Sequence, residues 1–445
     1  MIAPFGRACR LVVAGGAATA AMVFGCAAPA SADWLDRERQ LTTGTAIQDS
    51  PQLSGTSLAY ADHTFERTVG QGAGAETLFD VRVRDLTSGA DLNLTPNHTA
   101  LGRPAISGKR VVWSDYGNGT NSGLWYRNLA TGQQRRLAAS AGAQPRLSGD
   151  LLCYEYQGRI HVHTIGSGRD VAVSPEGASA SSCDISGRVV VWQDVRNGHD
   201  ADIYAYDLDA RQETRLTATG TDQTLPRIDD GLVVWQDAVS PTNSDVYAED
   251  LTTGVITQVT SDESVQRFAA VADGRITWMD EGGGRANTEI YLYDVASRVT
   301  TRVTRHDGWS SNPTVSGDRI AYEDSRGTGH NLYLRTITPP TLSLGRVPGP
   351  STSPQVSGRL VGADGAPVTA ETVVVETSGD GISWTAGAAA VTDQSGGFTL
   401  EVDARSGDVE VRVRFAGTPE YPAAVSRTVP VQQAHIVAGL ARPQP

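Results

Sequence analysis

The stretch from Pro226 to Thr260 decides the fold. It reads PRIDDGLVVWQD over 226–237, then a polar turn, then DVYAEDLTTGVITQVT over 245–260. It is one copy of a unit that recurs along the chain. Copies begin at Pro51, Pro104, Pro145, Cys183, Pro226, Ala269 and Pro313. Nine residues after each anchor stands an aromatic: Tyr60, Trp113, Tyr154, Trp192, Trp235, Trp278 and Tyr322. A repeat of about forty residues points to a propeller, a solenoid or an array.

Inside a copy the strands follow from pattern. The anchor leads a short strand, as in Pro104-Ala105-Ile106-Ser107, and a Ser-Gly turn follows. The second strand is apolar and β-branched (Arg188 to Trp192), the third alternates (Asp202 to Asp207), and the fourth ends in Leu-Thr or Val-Thr. Such segments, bounded by turn residues, read as strands. The ends of the array are complementary. Arg39-Gln40-Leu41-Thr42 matches the closing strands Arg215-Leu216-Thr217 and Arg302-Val303-Thr304, yet it precedes the first copy. The seventh copy reaches Thr338-Pro339-Pro340 without a closing strand. The N-terminal strand is expected to fill that gap, which removes exposed sheet edges. The expected fold is all-β: a seven-bladed propeller over 33–338, closed by an N-terminal strand. The first copy departs from the pattern through a Gly-rich insertion from His63 to Leu78.

The flanks are different in kind. Residues 1–32 read as a secretory signal: Arg7 and Arg10, an apolar run from Leu11 to Phe24, then Ala30-Ser31-Ala32. Lipoprotein processing at Cys26 is the rival reading. Residues 339–354 are rich in Pro, Gly and Ser and read as a linker. Residues 355–431 read as a small β-sandwich of short alternating strands, and 432–445 as a tail. Beyond the signal only Cys153 and Cys183 remain. In an exported protein they point to a disulfide, against the alternative of two buried thiols.

With 37 basic and 50 acidic residues the net charge is −13, which excludes steering toward nucleic acid or anionic lipid. No segment after the signal is apolar enough to span a bilayer. The sequence has no G-x-S-x-G elbow, no H-E-x-x-H and no phosphate-binding glycine loop.

The recurring W-Q-D, D-I-Y-x-Y-D-L and R-L-T segments resemble those of the TolB-like propellers, exported bacterial proteins. The resemblance covers residues 33 to about 338. It implies a protein-binding platform in the cell envelope. The C-terminal segment, with Phe415-Ala416-Gly417-Thr418 and Tyr421, resembles the Ig-like or prealbumin-like modules of bacterial secreted proteins.

Candidate site residues lie where the second and third strands meet, on the face shared with the links between copies. The fourth copy has Asp194, His199 and Asp202 there, and the seventh has Asp324 and His330. A ring of such carboxylates would suit Ca²⁺; equally, each Asp caps its own hairpin. His63, His306 and His330 fall on the same face. Trp309 stands outside the repeat register, beside His306, as a ligand anchor. His161 and His163 alternate on one strand and share a side, as a metal pair or as packing. The expectation is a monomeric secreted or cell-surface protein without a cofactor. It would bind an envelope protein or glycan through Trp309, His306, His63, His330, Asp194 and His199. The alternative is a polysaccharide lyase or hydrolase with its site in the central pocket.

Overall fold

The computed structural model describes residues 38–431, apart from 70–75, 116–121, 139–142, 199, 241, 283, 285–286, 328, 346–353, 363–364, 404–408, 419–420 and 422. The expected signal, Cys26, the tail and His199 lie outside the described residues. Every described element is a strand. The strands form antiparallel meanders, one per copy, each running in chain order from an inner to an outer strand. The first two meanders share an eight-stranded sheet through the pairing of Phe79 with Ala100; the others are separate four-stranded sheets. Each innermost strand touches the next, and Ser310–Ser316 of the last touches Gln48–Ser54 of the first.

The last meander takes its outer strand from the other end of the chain. Arg39 pairs with Leu334 and Gln40 with Tyr333. Leu41 N–H donates to the Leu332 carbonyl at 2.8 Å. The Leu41 side chain is buried with Leu58, Tyr60, Leu332 and Leu334. Thr42 then does what the Thr of R-L-T does elsewhere. Its hydroxyl accepts the Leu332 N–H at 2.8 Å, as Thr217 accepts that of Ile203, Thr260 that of Val246 and Thr304 that of Ile290. The motif therefore ends an outer strand by satisfying a buried donor on the third strand.

Neighbouring meanders are tied at the Ser-Gly turns. The Ser54 hydroxyl accepts the Gly108 N–H, Ser107 that of Gly149, Ser148 that of Gly187 and Ser186 that of Asp230. Asp229 accepts from Asp273, Asp273 from Gly317, and Ser316 from Gly55. The cycle returns to its start. Where the Ser is missing, a carboxylate supplies the acceptor. Gly55, Gly108, Gly149, Gly187 and Gly317 sit at φ between 55° and 58°, a region glycine enters at no steric cost, and Asp230 and Asp273 hold the same place at φ 44° and 52°.

The recurring aromatics are inner packing. Trp192 stacks on Tyr204, Trp235 on Tyr247, Trp278 on Tyr291 and Tyr322 on Tyr333, at 5.8–6.2 Å. These are directly opposed cross-strand pairs. Cys153 and Cys183 form a disulfide between the third and fourth meanders, with Cα atoms 6.4 Å apart.

The C-terminal region has two sheets. One holds Thr341–Leu344, Gln355–Val361 and Gly397–Glu401; the other holds Thr372–Ser378, Thr385–Val391, Val409–Phe415, Ala424–Val425 and Val429–Val431. Strict alternation buries Val409, Val411, Val413 and Phe415 against Leu342, Leu344, Val356 and Leu400. The stretch read as linker is thus partly strand: Thr341–Leu344 pairs with Gln355–Val361 because Leu342 and Leu344 face the core. The insertion in the first copy is also strand where described. The second and third strands lengthen to Ser57–Val69 and Glu76–Asp85, a projecting hairpin.

Two outcomes follow. Leu41→Ala should cost about 2–4 kcal/mol in denaturant unfolding, and an unchanged midpoint would remove this strand from the last meander. Replacing Cys153 and Cys183 by Ser should cost about 3–4 kcal/mol through the freed loop. The melting temperature of the parent, but not of the variant, should then fall on adding reductant.

Candidate functional site

The aspartates of the W-Q-D segments build the fold. Asp194 is fully buried. It accepts the N–H groups of Ser179 and Arg196, the Trp192 Nε1–H and the Arg196 guanidinium. Asp115 bonds Thr99, Asp237 bonds Thr221, Asp280 bonds Ser264 and Asp324 bonds Ser310. Each clasps the link that enters its own meander. Asp194, expected to meet a ligand, has its oxygens engaged by that link and by Trp192 and Arg196 of its own hairpin. Among the described residues no group of three or more His, Cys, Asp or Glu is placed to hold a metal ion. His161 and His163 both turn their Nδ1 to Asp170, at 2.8 and 3.3 Å, and the Tyr154 hydroxyl donates to the same carboxylate. Burial raises the Asp170 pKa, but the bonds from His163, Tyr154 and His161 outweigh it and bring it to about 2.

The residue after the aromatic reaches into the next meander. Gln193 accepts the Leu225 N–H, Gln236 that of Phe268 and Glu323 that of Ser50, at 2.7–2.8 Å. Each donor sits at positive φ in a bulge of the innermost strand.

Three of the expected site residues, Trp309, His306 and His330, fall along one seam, where the last meander meets the first, and His63 stands on the first meander. The Trp309 ring packs on His330, with centroids 5.3 Å apart, and stays half-buried. His330 is held by its carbonyl, which accepts the Gln48 N–H. Gly329 beside it touches the link of the first copy so closely that a Cβ would meet the Ala46 carbonyl at 2.8 Å. His306 Nε2 lies 2.8 Å from the buried Asp324 carboxylate. His63 lies between Asp49 and Glu66, both at 3.3 Å, and packs on Phe79. The bond to Asp324 raises the His306 pKa, overcoming burial. Burial lowers the His63 pKa, but Asp49 and Glu66 prevail and the net direction is up. From the hairpin beside His63 the Phe65 ring stands 66% exposed, packed on His98 at 5.3 Å. Asp194 belongs to the fourth meander and is not part of this seam.

The central pocket of the alternative reading has lining residues that the sequence did not single out. The innermost strands surround a channel of about 480 Å³. It is lined at the residue beside the anchor: Gln52, Arg146, Asp184, Arg227, Ala270 and Thr314. The second copy has Ala105 at that position and carries an extra residue in its bulge, which brings Arg103 to the wall. The available signal was variation. Anchor and aromatic recur, while the residue beside the anchor changes chemistry from copy to copy. Glu323 is almost wholly buried behind this wall, where it bonds Ser50 N–H and the Asn312 amide. Burial first, then the charge of Asp49, pushes its carboxyl up to about 7.

No family model and no curated protein matches the sequence. Solved structures do. The β-propeller domain of the trilobed protease from Pyrococcus furiosus aligns with a TM-score of 0.51 at 14% identity, over 65% of this chain and 95% of that one. An acylaminoacyl peptidase aligns at 0.50 and 13%, over 71% of this chain. A puromycin hydrolase aligns at 0.50 and 15%, over 72% of this chain. This chain spans 58% and 59% of the length of those two enzymes. The likeness shows a propeller-type fold.

The His306–Asp324 pair carries a pH signature. A raised histidine pKa contributes stability below the ordinary value of about 6.5, lost as pH rises through the folded value. Asp324, held low by His306 and Arg326 against the effect of burial, keeps its charge across that window. His306→Gln should cost about 1 kcal/mol at pH 5.5 and less at pH 8.5. Equal losses at both pH values would contradict a charged pair.

Proposed function

We propose that the chain is an exported seven-bladed propeller, closed by its N-terminal strand and followed by an Ig-like β-sandwich, that binds an envelope protein or glycan without turning it over. The supporting observation is a pair of accessible rings, one on the last meander's link and one on the first meander's hairpin. Trp309 packed on His330 and the open Phe65 ring on its projecting hairpin offer flat apolar faces rimmed by histidines and carboxylates. Exposed rings on a rigid scaffold serve stacking on sugar faces or insertion into a partner. His306 and His63 help hold the link and the hairpin that carry these rings.

A second reading has one observation in its favour. A hydrolase or lyase would work from the central channel, with Glu323 buried behind its wall, where burial and the charge of Asp49 push the carboxyl up to about 7.

Cosedimentation with purified cell-wall polysaccharide and with envelope protein fractions tests the binding reading. Trp309→Ala with Phe65→Ala should weaken binding by about tenfold or more, with the melting temperature nearly unchanged. Undiminished binding by that variant would move recognition off these rings. Turnover of the polysaccharide, abolished by Glu323→Gln, would replace the binding reading by the enzymatic one.

A further inference from the structure

We propose that the central channel is a binding site for a small oxyanion carrying two or more negative charges, gripped by Arg103, Arg146 and Arg227. The three guanidiniums come from the innermost strands of the second, third and fifth meanders and meet in one cavity. In a chain of net −13 the three stand together on a wall whose carboxylates are Asp184, Asp229 and Asp273.

Their protein partners are few. Arg146 reaches only Gln52 Oε1, at 3.5 Å, and Asp184, at 4.0 Å, both at the outer limit of bonding. Arg227 donates to the Pro226 carbonyl and Arg103 to Asn312 Oδ1. Asp184, the carboxylate nearest to them, already accepts the Ile185 and Ile228 N–H groups. Each guanidinium has five N–H donors in a planar fork suited to carboxylate or phosphate oxygens. Among the described residues most of these donors have no protein acceptor, and all three side chains line the channel.

The cluster also repels itself. Burial, and then the charge of Arg227, pushes Arg146 down to about 9. Arg227 is lowered by burial and by Arg103. Cations gathered around one shared carboxylate, with Arg146 buried and Arg103 and Arg227 half-buried, cost free energy unless a counter-charge arrives. Asp229 and Asp273, the other carboxylates on the wall, spend an oxygen each in the turn cycle at the far end of the innermost strands. A volume of about 480 Å³ is ample for a single phosphate and lies in the range of small-ligand sites. Phe268, on which the Arg103 guanidinium rests at 5.7 Å, offers an apolar wall for a carbon skeleton. The inference is independent of the seam, since none of its residues lies there.

The test is calorimetric titration of the purified full chain with citrate, pyrophosphate and acetate at equal ionic strength. Citrate or pyrophosphate should bind saturably and at least about tenfold more tightly than acetate. Which of the two binds more tightly separates a polycarboxylate ligand from a phosphate. Arg146→Gln with Arg227→Gln should weaken that binding by about tenfold or more, and the free variant should melt no lower than the parent. Gln52→Glu, which leaves every arginine in place, should weaken it too, because it puts a competing carboxylate beside Arg146. No saturable binding of either polyanion, or equal binding by the double variant and by Gln52→Glu, would overturn the proposal.

Discussion

The structure depends on the pairing of Arg39–Gln40 with Asn331–Thr336. A row of meanders laid side by side leaves two unpaired edges, each a line of backbone donors and acceptors open to another chain. Here the first and last elements of the array are parts of one sheet, so unfolding either end opens the same seam. Leu41 seals it with apolar contact and Thr42 caps it, in the roles their counterparts play in other meanders. Glu38 extends the same logic. Its carboxylate takes the Tyr322 hydroxyl and the Arg326 guanidinium. Glu213 does the same for Arg196 in the fourth meander. In both, the arginine lies over a tyrosine ring at 4.2 Å.

Around that closure the inter-meander bonds run in two tiers. One is the cycle of Ser and Asp acceptors at the turns. The other is the set of Gln and Glu side chains that reach the bulged N–H of the next innermost strand. Both act across boundaries where no backbone ladder exists. They ask little of the position beside each anchor, where only Asp184 and Thr314 also accept a backbone N–H of the next innermost strand among the described residues. That freedom is why one copy can place a glutamine there and others an arginine, an aspartate or an alanine. A repeated scaffold can thus carry an unrepeated channel.

The seam and the channel use the fold in different ways. The seam gathers singular residues on links, where loops of neighbouring copies come within contact. The channel gathers residues from every copy at the position beside the anchor, and Arg103 joins them from the longer bulge of the second copy. Fold-level likeness to peptidase propellers speaks to neither, since such likeness is carried by meanders and not by sites.

The sequence alone determined the repeat, its phase, the strand content of each copy and the fit between the two ends of the array. These are local periodicities and spacings, and each copy supplies its own evidence. It also singled out Trp309, His306, His63 and His330, because they break the repeat. Tertiary structure decided the rest. Whether Asp194 faces solvent or its own link depends on how a turn folds back, and burial settles it. Whether Thr341–Leu344 is linker or strand depends on a core formed with residues far along the chain. The channel is the plainest case. Arg103, Arg146 and Arg227 stand in different copies, and only the closed ring of innermost strands turns them toward one another.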